Sequence, residues 1–453
     1  MILLCGAGAG QEVGLLAGHP ELGIFLVVPA MVACYALWRP RGAVLAILLG
    51  LLAVQALVPI HTGGGRVQDW ILHFEVSRHY AGLDSPVTPT FLSSRTALFH
   101  QLLGAILAHV PAYWAYQVGS ALLNGLWLWP ASLLVQRLDR SPVRIAAVAL
   151  TPLLLAYSTY TWPWCFAAFF LLTAVLLAES DDRLGSLAVG VALAAALLAH
   201  PGSIGYVAGV GAWIAVRRPR RLPITALAGA AILATQVPWL LAITGGRGVV
   251  QLLASTDTLR QRVGPVVWLV TRILVAVHSV VPFAALSART PWADLLLVFF
   301  IASLPGAALL AWLTAGRSMW PRGAARWAVV GGFVVGWAID PPQQALAGML
   351  DALFLGVLLL LVNAAAEAPA PAVGRMFSAH AVAAGVFVLA LLSVAVTAGA
   401  GDANIDYKQH YGAVFLVERF GILPAILLVG AAGLATLWPR WSGRGRSPSR
   451  AAA

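Results

Sequence analysis

The chain has 453 residues, of which 60% are hydrophobic and only 10% charged, with a mean hydropathy of +0.86. A soluble chain carries about 25% charged residues to face water, so this composition excludes an ordinary water-soluble domain. Lys and Arg (28) outnumber Asp and Glu (17) for a net charge of +11. The arginines fall in short clusters between apolar runs, which argues for membrane topology and against nucleic acid as a partner.

In chain order, apolar segments suited to crossing a bilayer lie at 22–38, 43–60, 113–135, 145–159, 164–178, 186–200, 203–216 and 222–244. Others follow at 265–287, 292–315, 327–340, 345–363, 379–398 and 422–438. Each is expected to be helical, because an unpaired backbone in hydrocarbon is prohibitively costly. Several are shorter than the roughly 20 residues of a perpendicular span.

The arginine clusters are Arg39/Arg41, Arg137/Arg140/Arg144, Arg217/Arg218/Arg220/Arg221, Arg317/Arg322/Arg326 and Arg440/Arg444/Arg446/Arg450. Placing all of them in the cytoplasm tests the segmentation. Two spans separate Arg41 from Arg137, four separate Arg144 from Arg217, and four separate Arg326 from Arg440. Three separate Arg221 from Arg317, so one segment within 222–315 is re-entrant, interfacial or misdivided. The expected fold is an all-α polytopic membrane protein of about 13 transmembrane helices by this positive-inside count. It forms one multispan domain, 1–439, followed by a basic cytoplasmic tail, 440–453. A multi-pass position in the inner (plasma) membrane with the N-terminus outside follows. Cys5, Cys34 and Cys165 have no metal-ligand spacing, and their odd number offers no disulfide framework. Without a basic n-region, the N-terminus does not read as a cleaved signal peptide.

This topology puts 61–112, the Thr161–Pro163 corner, the His200–Gly202 turn and 399–421 on the extracytoplasmic face, and 245–264 joins them if parity allows. The Ala/Pro run 364–373 is expected as a cytoplasmic loop. Within the first outer loop, the pattern predicts a helix over Val67–Ala81 with Trp70, Ile71, Phe74 and Ala81 on one side. Arg66, Asp69, His73 and Tyr80 share another, as in an amphipathic helix lying in the membrane interface with Trp and Phe dipping into lipid. Asp69 and His73, at i and i+4, are within side-chain reach of each other. Asp69 at that level is suited to act as general base on a hydroxyl, or simply to solvate an interfacial helix. His73 and Glu75 point to different faces, so a metal bound by His73, Glu75 and His79 is not expected. Arg95–Val110 reads as a second interfacial helix.

An outer first loop with an acid just after a span, then interfacial helices, then an Arg before an apolar stretch, resembles the GT-C superfamily of polytopic glycosyltransferases. The closest likeness is to bacterial relatives of protein O-mannosyltransferases and lipid A aminoarabinose transferases. It covers residues 55–220 and continues in Tyr157–Trp164 (YSTYTWPW) and Leu198–Gly202 (LAHPG). The resemblance implies an acidic catalytic base in the first outer loop, here Asp69 within Gln68–Asp69–Trp70. It also implies a polyprenyl-phosphate sugar donor, used on the outer face without a nucleotide sugar. Two features depart from the family pattern: the acidic loop follows the second candidate span, and Asp69 is followed by Trp70 rather than a second acid.

The expected reaction is inverting transfer of a sugar from the carrier to a hydroxyl on a glycan, lipid or protein acceptor, with His73 aiding Asp69. No cofactor is required and no divalent metal is indicated, because a phosphomonoester is an adequate leaving group. Membrane lipid surrounds the chain. Arg66, Arg95, His200, Arg247, Arg260 and Arg262 are candidates for donor phosphate or substrate binding, since guanidinium matches phosphate in a bidentate manner. For His200 the competing reading is a residue that ends a helix before Pro201. For Arg247, Arg260 and Arg262 it is an ordinary topogenic charge. Tyr160 and Trp162, with Trp164, either stack on a sugar or anchor the chain at the interface. Asp406, Lys408, His410 and Tyr411 form either a lid over sugar or acceptor, or a solvated loop. The ionisable residues Arg272, His278, Asp340 and Asp351 within apolar segments either face a polar cavity or, for Asp340, cap the next helix.

Rival functions are a lipid-linked glycan polymerase or ligase, a lipid-linked sugar flippase or transporter, and a non-catalytic scaffold. A transporter would be expected to show inverted repeats and mid-membrane polar groups. The sequence has no repeat, and its polar residues gather at one face.

Overall fold

The computed structural model describes residues 67–87, 97–135, 141–151, 154, 163–179, 183–236, 316–339, 345–381 and 384. The segments 22–38, 43–60, 265–287, 292–315, 399–421 and 422–438 and the tail lie outside these residues, as does nearly all of 379–398.

The described residues are helical throughout, with no strand among them. The helices are α1 (Val67–Tyr80), α2 (Ala97–His109), α3 (Tyr113–Gly125), α4 (Leu128–Val135), α5 (Pro142–Ala149) and α6 (Trp164–Ala178). They continue with α7 (Arg183–Ala199), α8 (Ile204–Arg217), α9 (Leu222–Ala234), α10 (Gly323–Ile339) and α11 (Ala345–Glu367). A last helical stretch, α12, covers 370–381. One stretch of the described residues, Val118–Val135, is long and apolar enough by length and composition to cross a membrane. Shorter apolar helices accompany it, among them Trp164–Ala178 and Arg183–Ala199.

α6 is apolar on every side (WCFAAFFLLTAVLLA) and is buried at 13 of its 15 positions, which places it at the centre of the bundle. Its single hydroxyl, Thr173, donates back to the Phe169 carbonyl at 2.7 Å and so needs no outside partner. α7 packs antiparallel to α6: Trp164, at the start of α6, lies against His200, just past the end of α7. α9 runs parallel to α7, tied by the Thr225 hydroxyl to the Ser186 carbonyl (3.1 Å). α8 and α10 pair antiparallel with their backbones nearly touching. A Cβ on Gly205 would stand 2.6 Å from the Gly331 carbonyl oxygen, and one on Gly209 would strike the Trp327 carbonyl. Two glycines four apart thus form the flat strip that close helix approach needs.

The bundle has two distinct ends. One gathers α1, α2 and the turns around Trp164 and His200. The other gathers the end of α6 and the arginines of the α8–α9 turn and the α10 start. Arg217–Arg221 and Arg322/Arg326 line one cleft at that second end.

Two expectations need correction. The segment 113–135 is two helices, broken at Leu126–Trp127. Pro130 cannot donate to the Leu126 carbonyl and its ring crowds that turn, so a continuous helix is interrupted there. The run 364–373 is not a loop: α11 continues through Glu367, pauses at Ala368–Pro369, and α12 begins at 370. Pro369 disfavours a helical conformation at Ala368 but caps the next helix, its carbonyl accepting from Ala372 (2.9 Å) and Val373 (3.1 Å). Arg144, a member of one of the arginine clusters, is buried, with 4% exposure. Its Nη1 donates to the carbonyls of Ala365 (2.5 Å), Ala366 (3.3 Å) and Ala368 (2.9 Å). A helix leaves its last four carbonyls without internal partners and carries partial negative charge there, so a buried guanidinium is stabilised at that point.

Candidate functional site

Asp69, His73 and Ser77 follow one another at four-residue intervals along α1, a spacing that stacks them on one helix face. The backbone of Asp69 lies in the first turn of α1. α2 approaches this helix closely because Gly104 has no side chain: a Cβ there would stand 2.7 Å from Tyr80 Cβ and 2.9 Å from the Ser77 carbonyl.

The approach brings His100 of α2 to His73. Nδ1 of His73 and Nε2 of His100 are 3.0 Å apart, with ring centroids at 4.9 Å. Ser77 Oγ donates to the His73 carbonyl at 3.0 Å and stands 3.3 Å from His100 Nδ1. His73, Ser77 and His100 are each at most 4% exposed. With both rings neutral and the Ser77 proton held by the carbonyl, the ring protons fall in one order. The Ser77 hydroxyl has spent its proton on the carbonyl, so it accepts from His100 Nδ1–H. His100 Nε2 then accepts from His73 Nδ1–H. His73 Nε2 therefore carries a lone pair, the form suited to accept a proton.

Aromatic side chains enclose this network. Phe74 meets Tyr113 and Tyr116 at 5.0 and 5.2 Å in edge-on geometry, and Phe99 meets Phe166 at 5.7 Å. Phe74 was expected to dip into lipid; instead α3 covers it and it is 4% exposed. α2, expected as an interfacial helix, buries Leu98, Phe99, Leu103 and Leu107 against the bundle. His73 on α1 and His100 and Gln101 on α2 are as buried as these apolar side chains. Asn124 Oδ1 accepts from the Phe166 N–H at 3.1 Å, satisfying a first-turn donor of α6 beside this network. Gln101, the residue after His100, is 4% exposed, and neither of its side-chain amide atoms has a hydrogen-bond partner among the described residues.

Glu75 is engaged by Arg78 through both carboxylate oxygens (3.0 and 3.1 Å). Among the described residues no group of three or more His, Cys, Asp or Glu side chains is arranged to hold a metal.

His200 caps the short turn Pro201–Ser203: its Nδ1 accepts from the Gly202 N–H at 3.0 Å. Its ring lies over Trp164 with centroids 3.7 Å apart. This geometry matches the reading of His200 as the residue that ends a helix before a proline turn. Trp164 itself is 1% exposed and packs also against Phe354 at 6.2 Å.

The structure therefore brings His73, His100 and Ser77 together. The Asp69 side chain and all of Arg66, Arg95, Tyr160, Trp162, Arg247, Arg260, Arg262, Asp406, Lys408, His410 and Tyr411 lie outside the described residues, as do Arg272, His278 and Asp340 and the Asp351 side chain. Sequence reasoning missed His100, whose histidine inside an otherwise apolar 13-residue helix was the available signal. It also missed His380, 1% exposed, whose Nδ1 meets the Ala147 carbonyl at 2.6 Å and Thr151 Oγ1 at 3.2 Å. Comparison with family models, with curated proteins and with solved structures finds no match to this chain.

Proposed function

We propose that the chain is a multispan membrane glycosyltransferase of GT-C type, working at the histidine end of the bundle on the extracytoplasmic side. The acceptor hydroxyl oxygen attacks the anomeric carbon of a sugar held on a polyprenyl phosphate. The bond from that carbon to the phosphate oxygen breaks, the configuration inverts, and the lipid phosphate departs. The proton of the hydroxyl passes to Asp69. His73 Nε2, carrying its lone pair, steadies the proton on that carboxyl.

The observation that carries this reading is the Ser77–His100–His73 chain. It fixes His73 one helical turn from Asp69, on a helix held closely by α2. A positioned base contributes only if its support is rigid, and a buried hydrogen-bonded network supplies that rigidity. The membrane setting is supported by composition and by exposed aliphatic side chains such as Leu184, Leu227 and Val334 on otherwise apolar helices. The arginines at the opposite end match the cytoplasmic placement of positive charge.

Asp69→Asn, assayed in membranes with a panel of polyprenyl-phosphate sugars, is expected to slow transfer by about 100- to 10,000-fold, the worth of a general base. Transfer at the parent rate by a well-expressed Asp69→Asn protein would remove Asp69 from the mechanism.

A further inference from the structure

At the end of the bundle opposite His73, a cleft of about 930 Å³ opens between the C-terminus of α8 and the N-terminus of α10. Its lining includes Arg217, Arg218, Arg220, Arg221, Arg322 and Arg326, flanked by Trp213 and Trp327. Two of these arginines serve the fold. Arg218 donates to the Glu179 carbonyl (3.1 Å) and stacks on Trp213, while Arg221 donates to the Ala178 carbonyl (2.8 Å) and Ser186 Oγ (2.7 Å). Arg217, Arg220, Arg322 and Arg326 are exposed, and their guanidinium groups make no hydrogen bond or ion pair among the described residues. The Glu179 carboxylate lies against Gly323 and meets the first turn of α10. Six arginines less Glu179 leave five positive charges; subtracting Asp181 and Asp182 from the next stretch of sequence, which lie outside the described residues, still leaves three.

Charge alone fits any anion. Exposed apolar side chains outside the lining narrow the choice: Val330 and Val334 follow Arg326 at four-residue intervals along one side of α10, Val216 and Leu222 flank the Arg217–Arg221 run in sequence, and Trp327 in the lining is itself exposed. A guanidinium cluster with an exposed tryptophan in it and exposed aliphatic side chains continuing along α10 matches the successive layers of a phospholipid. We infer that this cleft binds the phosphate headgroup of an anionic phospholipid, with the acyl chains laid along α8 and α10. The inference concerns the arginine end alone and stands apart from glycosyl transfer at the other.

The test is native mass spectrometry of the purified full-length protein in detergent, titrated with phosphatidylglycerol or phosphatidylcholine. Phosphatidylglycerol is expected to bind preferentially. Because an arginine near an anionic lipid surface contributes about fivefold in binding, Arg217→Gln with Arg326→Gln should weaken it by roughly 10- to 25-fold. Arg183→Gln, at the same end but outside the cleft lining, should leave it unchanged. If the double variant does not fold, Arg220→Gln with Arg322→Gln carries the same expectation. Equal binding of the two lipids, or undiminished phosphatidylglycerol binding in the folded double variant, overturns the inference. An equal loss in Arg183→Gln would show diffuse attraction rather than a built cleft and overturns it too. Displacement of the lipid by a stoichiometric amount of inorganic phosphate would mark a free-anion site and overturn the lipid assignment.

Discussion

The two ends of the bundle handle polarity in opposite ways. At the histidine end, polar side chains are sheathed in protein and bonded to one another, as in the His73–His100–Ser77 chain. At the arginine end, permanent charges stand at the surface, and the guanidinium groups that reach inward among the described residues meet helix C-termini with bare carbonyls. Arg218 and Arg221 serve α6 in this way, and Arg144 serves α11. The difference follows from desolvation. A neutral imidazole or hydroxyl can be buried for the cost of pairing it, whereas a guanidinium cannot shed its charge and needs several acceptors in a region of negative potential.

The sharpest way to break this contrast is Arg144→Leu. Three buried carbonyls would lose their donor, and an expected loss of about 3 kcal/mol in unfolding free energy follows from the cost of unsatisfied buried acceptors. Chemical unfolding in micelles should show the loss, and added salt should leave it unchanged because the pair is shielded from ions. A loss near zero would mean that the carbonyls find water, and the capping argument would fail.

Next in size is a pair of alanines on α8. Gly209→Ala forces a methyl into the Trp327 carbonyl and is expected to cost about 2 kcal/mol by overpacking. Gly211→Ala, where nothing lies within 4 Å of the new carbon, should instead stabilise by about 0.5–1 kcal/mol through helix propensity. Thermal unfolding of the two variants should move in opposite directions, and movement in the same direction would refute the close α8–α10 seam.

The smallest loss belongs to His200→Ala, which removes the cap on Gly202 and the ring over Trp164, at an expected cost of about 1 kcal/mol. His200→Asn keeps a capping acceptor and should recover part of it. A His200→Ala protein that is fully stable yet binds polyprenyl-phosphate sugar weakly would instead return His200 to the donor site.

Much of the helical layout was legible before any coordinates. The segment expected at 164–178 is α6 to the residue, and that expected at 203–216 differs from α8 by one residue at each end. Those boundaries are local, set by Pro163, Pro201, Ser203 and the arginines at 217–221. The errors arose where local punctuation was ambiguous. Pro130 broke a helix that hydropathy alone ran through, and the prolines at 369 and 371 separated two helices where a loop was expected.

The site was less legible, because its partners are distant in the chain. Asp69 and His73 share a helix face, and their relation could be read from spacing. His100 meets His73 across 27 residues, and Arg144 meets Ala365 across 221. Periodicity states which faces a helix has; it does not state which faces meet. Apolar burial drives all these helices together without preference, so the pairing is chosen by packing: the bare backbone at Gly104, Gly205 and Gly209, and the few polar groups that must find partners once water is gone.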